Sequence, residues 1–86
     1  MTNPYQTWIQ THYPTTTSAK LQCFEATTKM VVAFPELRQA RGHVMVGIRL
    51  RPHWWCVTPD DTVIDPTAIQ YKIPPLFYDE IPVDAE

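Results

Sequence analysis

The chain has 86 residues, of which 44% are hydrophobic and 19% charged, and its formal net charge is −2. A chain of this length forms one domain with a small core, and this composition is that of an ordinary globular protein. The weak negative charge excludes the class of strongly basic proteins that bind DNA non-specifically, so we expect no direct nucleic-acid binding.

The first sixteen residues are mostly polar but include Trp8, Ile9 and Tyr13. They predict an extended or short helical lead-in that packs these apolar side chains onto the domain. Apolar residues then recur at spacings of three and four from Cys23 to Leu37, which predicts one side of a helix.

Good N-cap residues occur at Thr17 and Ser18, where we expect this helix to begin. Pro35 should end it near Ala33, because a proline disfavours helical backbone in the residue before it. If the helix begins at Ser18, Cys23 lies in its second turn. A later start, close to Gln22, would place the thiol nearer the helix N-terminus.

A short turn or helical remnant, "PELRQAR", leads to Gly42, and a strand is predicted next because Val44, Val46, Ile48 and Leu50 alternate with other residues. Residues 53–58 and 62–67 then predict a hairpin around "TPDDT". Pro59 suits the first turn position, and Asp61 occupies the position that requires left-handed backbone in a three-residue turn.

This turn pairs Trp55 with Asp65 and places them, with His53, on one face of the hairpin, whereas Trp54 and Cys56 face the other way. The His53 and Asp65 Cβ atoms are then about 7 Å apart on the diagonal, a gap that their side chains can bridge. A two-residue turn would shift the register and move Asp65 to the opposite face.

After Thr67, "AIQYKI" predicts a final strand. The prolines of "PPLFYDEIPVDAE" should prevent regular pairing, so that Leu76, Phe77 and Tyr78 cover the core from an extended strap. We therefore expect an α+β fold, with one main N-terminal helix packed on a small antiparallel sheet. Its single domain, residues 1–86, comprises a lead-in (1–16), a core (17–72) and an acidic, proline-rich strap (73–86).

Three residues in this arrangement predict chemistry. Asp65 can orient His53 and stabilise its protonated form, and His53 can act as a general base toward a thiol. Cys23 is the candidate nucleophile, because the apolar side of the helix must pack on a sheet face, and we expect that face to be the one that carries His53. Trp55 would shield the pair from water, and Cys56 is expected in the core.

The order of Cys23, of His53 in "HWW" and of Asp65 in "IDPT" resembles the papain-like and transglutaminase-like cysteine-enzyme superfamily over roughly residues 20–70. The resemblance implies a compact core of that kind and a cysteine hydrolase or amide transferase with the catalytic triad Cys23, His53 and Asp65. It also implies an oxyanion hole formed by the backbone N–H of Cys23 and the side chain of Gln22.

The segments "CFEAT", "AFPELRQARGHV", "RPHWWCVTPDD" and "IDPTAIQY" are also similar to small proteins of phages and other mobile genetic elements. In those relatives a glycine commonly stands where this chain has Leu21, and another where it has Asp61. Many small phage proteins inhibit host defence, anti-CRISPR proteins among them. The resemblance thus implies a viral protein that acts in the bacterial cytoplasm on a host protein or complex.

The residues leave two functions open. The first is an enzyme. The second is a non-enzymatic inhibitor of the anti-CRISPR type, which would bind a CRISPR effector complex and block its DNA binding. Each residue also has a structural alternative: Cys23 as a buried apolar residue, His53 bonded to a backbone carbonyl, and Asp65 as the cap of the "PTA" turn.

Charge is unevenly distributed, with Arg38, Arg41, Arg49 and Arg51 in mid-chain and acidic residues near the end. Either group can be a solvated surface or can bind a partner, and the candidate partner-binding residues are Arg49, Arg51, Asp60 and Asp61. We expect a monomer. We also expect no cofactor and no metal, because no histidine or cysteine pair has the spacing of a structural zinc site. Met1 precedes no signal-like segment and no run could span a bilayer, which predicts a cytoplasmic protein with free thiols and no membrane association.

Overall fold

A computed structural model describes residues 3–71 and 73–81 and confirms the α+β class. Within these residues the helices are α1 (Pro4–His12), α2 (Thr16–Ala19), α3 (Cys23–Ala33) and a 3-10 helix (Ala68–Gln70). The strands are β1 (Arg38–Val46), β2 (Arg49–Val57), β3 (Val63–Ile64) and β4 (Tyr78–Glu80). They form one antiparallel sheet in the order β3-β2-β1-β4.

The lead-in forms the short helix α1, one of the two predicted alternatives. The Asn3 side chain accepts a hydrogen bond from the Tyr5 N–H, and Pro4 occupies the first helical position, where its missing N–H costs nothing. Trp8 and Ile9 are half-buried against the core and Tyr13 is buried, as predicted.

The prediction of one continuous helix from Thr17 or Ser18 is wrong, because the backbone leaves the helical conformation between α2 and α3. Thr15 and Ser18 form a reciprocal capping box that begins α2. Lys20 is extended, and Leu21 has a φ of 62°, which is left-handed. A new helix therefore begins at Cys23 and ends at Ala33, before Pro35, as expected.

The strand predicted over Val44 to Leu50 is also wrong in its extent, because it contains a hairpin turn. β1 begins at Arg38, and a two-residue turn at Gly47 and Ile48 joins it to β2. Gly47 has a φ of 62°, which suits the first position of such a turn. Apolar and other residues continue to alternate through the two-residue turn, so the alternation alone did not reveal the turn. Ile48, the second residue of the turn, is 96% exposed.

The β2–β3 hairpin has the predicted register. Cys56 pairs with Ile64 and Val57 with Val63, and the Thr58 N–H donates to the Thr62 carbonyl at 2.9 Å. Asp61 has a φ of 68°, the left-handed conformation expected of the third turn residue. β3 itself is shorter than predicted and ends before Asp65.

The helix packs on the opposite face of the sheet from the one predicted. Met30 of α3 and Leu37 lie in one buried cluster with Cys56 and Ile64, on the face away from His53. The other face carries a second cluster, made of Ala40, Val44, Trp55 and Val57, and its cover is Tyr71 and Tyr78. α3 covers the face that carries Cys56, and Tyr71 and Tyr78 cover the other face.

The C-terminal predictions are corrected in two respects. Ala68–Gln70 is a 3-10 helix rather than a strand. Tyr78–Glu80 does pair with β1, at Gly42 to Val44, because these three residues lie between prolines and keep all their N–H groups. Of the three residues expected to cover the core, Leu76 and Phe77 are exposed and Tyr78 packs on Trp55.

The close approach of β4 to β1 requires a glycine at position 42. A Cβ added to Gly42 would lie 2.0 Å from the Asp79 carbonyl oxygen. We expect Gly42→Ala to lower the free energy of unfolding by about 2–3 kcal/mol in urea titrations, because β4 must shift. Asp79→Ala is the control, since it changes an exposed side chain of β4 without adding an atom between the strands, and it should change stability by less than about 0.5 kcal/mol. Equal effects would contradict tight β1–β4 packing at Gly42.

Candidate active site

Cys23 is the first residue of α3, and this position follows from the break at Leu21. Gln22 is the N-cap residue but its side chain makes no capping hydrogen bond. The thiol is therefore next to the positive end of the helix dipole, which favours the thiolate. The later of the two helix starts considered from the sequence is the observed one, and Cys23 is half-buried there.

His53 and Asp65 form a buried pair. Their Nε2 and Oδ2 atoms are 2.8 Å apart, and the two side chains are 1% and 4% exposed. Trp55 lies on the same face, with its ring stacked 6.3 Å from the imidazole between centroids and almost no exposure to solvent. The hairpin register thus brings together the histidine and aspartate as predicted, with Trp55 beside them.

Asp65 is held by two further donors. The Tyr78 hydroxyl donates to Oδ2 at 2.8 Å, and the Thr67 backbone N–H donates to Oδ1 at 3.1 Å. The second bond caps the following turn, which is the structural alternative considered for Asp65. Asp65 thus caps the turn through Oδ1 and binds His53 through Oδ2. Fixed in this way, the carboxylate keeps His53 in one orientation.

The second ring nitrogen of His53 lies beside Tyr71. The Tyr71 hydroxyl is 3.0 Å from Nδ1. Because Nε2 is occupied by Asp65, Nδ1 is the nitrogen available to exchange a proton with a thiol. The sequence analysis missed Tyr71 and Tyr78, since both lie in C-terminal segments whose course was predicted wrongly, and no local pattern marks a tyrosine as a hydrogen-bond donor to a distant residue.

The two titratable groups perturb each other. A hydrogen bond with His53 lowers the pKa of the Cys23 thiol, against the opposing effect of partial burial, and the backbone N–H groups of Trp54 and Phe24 lower it further. Burial alone would lower the pKa of His53, but hydrogen bonds to Asp65 and Cys23 outweigh it and raise this pKa to about 9. Both shifts favour a thiolate–imidazolium pair at neutral pH.

Cys23 reaches His53 around an unpaired edge of the sheet. β3 pairs with β2 only at Cys56 and Val57, so no strand among the described residues covers the same edge of β2 beside His53 and Trp54. The Phe24 ring packs edge-on against Trp54, with centroids 5.0 Å apart, and holds the start of α3 there. A helix on one face of the sheet thus presents its first residue to a histidine on the other.

The remaining candidate residues are placed differently from expectation. The Gln22 side chain makes no hydrogen bond to another described residue; its backbone N–H donates to the Ala19 carbonyl and its own carbonyl accepts from the Ala26 N–H. Cys56 is fully buried, as predicted, and burial raises the pKa of its thiol to about 12. Cys56 is therefore an unreactive packing residue.

The four candidate partner-binding residues are exposed but do not form one surface feature. Asp60 accepts hydrogen bonds from the Thr58 and Thr62 hydroxyls and stabilises the turn. The Asp61 carboxylate is 4.0 Å from Arg38, which also binds Glu80 through two hydrogen bonds of 2.6 and 3.0 Å. The arginine group and the acidic end thus partly neutralise each other, whereas Asp84 and Glu86 lie outside the described residues.

Arg51 belongs to the active-site side, and Arg49 lies nearby on β2. A cavity of about 260 Å³ opens beside the thiol. It is lined by Leu21, Cys23, Arg51, Pro52, His53, Gln70 and Tyr71. The Cys23 and His53 side chains therefore line the same cavity.

Comparisons with protein-family models, with curated proteins and with solved structures each found no match. In residues 3–71 and 73–81, no group of three or more His, Cys, Asp or Glu side chains could hold a metal ion. Over the same residues, no helix has the length and apolar character to cross a membrane. The function must therefore be argued from the geometry of the site.

The lowered pKa of Cys23 makes a direct prediction about its reactivity. An ordinary thiol with a pKa of about 8.5 is only roughly 0.3% ionised at pH 6. Because a lowered pKa keeps the thiolate populated as the pH falls, Cys23 should react with iodoacetamide at pH 6 at least about tenfold faster than a free cysteine. Mass spectrometry of the alkylated chain measures this rate.

Two variants test the cause of this reactivity. His53→Ala should bring the rate at pH 6 most of the way toward that of an ordinary thiol, and Asp65→Asn should reduce it by less. Cys23→Ala leaves Cys56 as the remaining thiol and should not be alkylated while the chain is folded, because Cys56 is buried. A Cys23 that reacts no faster than free cysteine would show that His53 does not activate it.

The left-handed backbone at Leu21 predicts a gain in stability on substitution. The Leu21 side chain is 83% exposed, so it contributes little packing. Left-handed backbone costs a residue with a Cβ about 1–2 kcal/mol, and glycine avoids this cost at an entropic penalty of about 0.5–1 kcal/mol. Leu21→Gly should raise the free energy of unfolding by up to about 1 kcal/mol, whereas Leu21→Ala, which keeps the Cβ, should not; urea titration separates them.

Proposed function

We propose that the protein is a cysteine-dependent acyl-transfer enzyme, a hydrolase or amide transferase, with Cys23 as nucleophile, His53 as proton carrier and Asp65 as the residue that orients His53. One observation carries the proposal: a buried histidine, held by an aspartate through one nitrogen, lines the same cavity as a half-buried thiol at a helix N-terminus. This arrangement activates sulfur for attack on a carbonyl group. A thiol that merely fills the core would need neither partner.

The chemistry proceeds in two steps. The Cys23 thiolate attacks the carbonyl carbon of an amide or ester, and the imidazolium of His53 donates its proton to the departing amine or alcohol as the acyl–oxygen or acyl–nitrogen bond breaks. A thioester on Cys23 remains. Neutral His53 then removes a proton from water, for hydrolysis, or from an acceptor amine, for transfer, and the tetrahedral intermediate expels the thiolate.

Charge on the carbonyl oxygen requires hydrogen-bond donors. The backbone N–H of Cys23 remains the proposed donor, because it begins the helix and the Gln22 side chain does not cap that end. The Trp54 backbone N–H lies close enough to the sulfur to lower the pKa of the thiol, which places a second backbone donor near the reacting atoms. Nothing in the geometry supports the Gln22 side chain in this role.

Two backbone angles agree with the glycine positions of the small phage proteins that the sequence resembles. Leu21 and Asp61, the positions where those relatives commonly have glycine, are the non-glycine residues with positive φ in the described parts of the chain. Glycine is favoured where the backbone is left-handed. This chain and those proteins would therefore have the same backbone conformation at these two positions, with different residues.

An acyl-transfer enzyme should be acylated by an activated ester. With p-nitrophenyl acetate we expect a burst of p-nitrophenolate equal to the amount of protein, and one acetyl group on Cys23 by mass spectrometry. Cys23→Ala should abolish the burst, and His53→Ala should slow it by about 100-fold or more, because the thiol is no longer activated.

The same variants separate an enzyme from a binding protein. A wild-type chain that gives no burst and carries no acetyl group would contradict the proposal. If a biological effect of the protein also survives Cys23→Ala, the inhibitor that binds a host complex, of the anti-CRISPR type, becomes the better explanation. A stable stoichiometric partner recovered from bacterial lysate with both chains would point the same way.

A further inference from the structure

The cavity beside Cys23 continues into a larger groove. The second cavity has a volume of about 500 Å³ and shares Leu21, Arg51, Gln70 and Tyr71 with the first. Thr16, Lys20, Val46, Gly47 and Ile73 complete its lining. The two volumes together are in the range of a site for a small ligand or a short peptide.

The charge of this groove is opposite to that of the protein. Arg51 lines both cavities and Lys20 lines the larger one, and no carboxylate among the described residues lines either. The whole chain carries a net charge of −2. A cationic groove on an acidic protein selects for negative ligands, because it attracts them while the rest of the surface repels them.

These two cations have no ion-pair partner among residues 3–71 and 73–81. By contrast, Lys29 pairs with Glu25 and Arg38 pairs with Glu80. An arginine guanidinium without a protein partner can bind a carboxylate through two parallel hydrogen bonds. Arg51 is thus available to a ligand, and it lies in the same cavity as the thiol.

The apolar part of the groove limits what the ligand can be. Leu21, Val46 and Ile73 line it beside the two cations. A compact inorganic anion would leave these side chains uncovered, whereas a peptide backbone with an acidic group would contact both the apolar and the charged parts. The geometry points to a substrate with a carboxylate close to the reacting carbonyl.

We propose that the protein acts on acidic peptides, and that Arg51, with Lys20 farther along the groove, binds a substrate carboxylate within one or two residues of the carbonyl that Cys23 attacks. This proposal rests on the proposed function for the identity of the reacting group. The groove itself can be tested separately.

The test uses thiol reagents that carry the proposed charge. Chloroacetyl-glycine and chloroacetyl-glycyl-glycine are compared with their amides, which have the same reacting group and lack the charge. The ratio of the carboxylate rate to the amide rate is measured at Cys23 by mass spectrometry at low ionic strength. It is divided by the same ratio for the neutral thiol N-acetylcysteine amide, and we expect a normalised ratio of about 10 or more, falling as salt is added.

Matched variants show which residues cause the higher rate of the charged reagents. Arg51→Gln should reduce the normalised ratio toward 1, and Lys20→Gln should reduce it most for the longer reagent. Arg49→Gln is the control, since Arg49 is exposed on the same strand but lines neither cavity, and it should leave the ratio unchanged.

Failure of this proposal differs from failure of the proposed function. A fast Cys23 whose normalised ratio is 1, or whose ratio Arg51→Gln leaves unchanged, would overturn the anionic substrate and leave the enzyme intact. A slow Cys23 would count against the enzyme, yet the ratio would still report on the groove at pH 9, where an ordinary thiol reacts.

Discussion

The buried hydrogen bond between His53 and Asp65 organises much of the structure. An ionised pair at 1% and 4% exposure loses its hydration, and such a loss is tolerated where further hydrogen bonds satisfy the remaining polar atoms. Here the Thr67 N–H and the Tyr78 hydroxyl supply those bonds to Asp65. Each partner comes from a different segment, so this one network holds the 3-10 helix region and β4 against β2.

The network also accounts for the cover of the second hydrophobic cluster, the one on the His53 face of the sheet. Tyr71 and Tyr78 place their hydroxyls on the polar pair and their rings over Trp55 and its neighbours, so the second cluster is covered by residues that the network positions. α3 is left with the other face. A polar network with all its members hydrogen-bonded can take this role, and no buried side-chain nitrogen or oxygen among the described residues lacks a partner.

The parts of the fold that could be predicted from the sequence are those that local chemistry decides. The turn at Pro59 to Asp61 sets the β2–β3 register through its own residues, and that register brings His53 to Asp65. The break at Leu21 could not be predicted in this way, because leucine does not favour left-handed backbone and the residues around it suit a helix. The tyrosine donors and the face that α3 covers depend on contacts between segments far apart in sequence, which no periodicity encodes.

The two left-handed residues, Leu21 and Asp61, act on the two halves of the site. The left-handed backbone at Leu21 separates α2 from α3, so that Cys23 is the first residue of α3. Asp61 fixes the hairpin register that places Asp65 beside His53. Strained backbone persists where the surrounding structure holds it, and it is concentrated at functional sites.

Size sets the remaining constraint, because the described residues form one small sheet with its helices and include no second subdomain that could enclose a substrate. An open groove cannot bury much apolar surface of its ligand, so recognition has to depend on interactions that remain effective near water. A guanidinium that binds a carboxylate through two directional hydrogen bonds is such an interaction, and it adds long-range attraction that shape alone cannot give. Arg51 beside Cys23 therefore fits the proposed enzyme, in which charge at the rim would orient the substrate and a histidine held from the buried side would direct the chemistry.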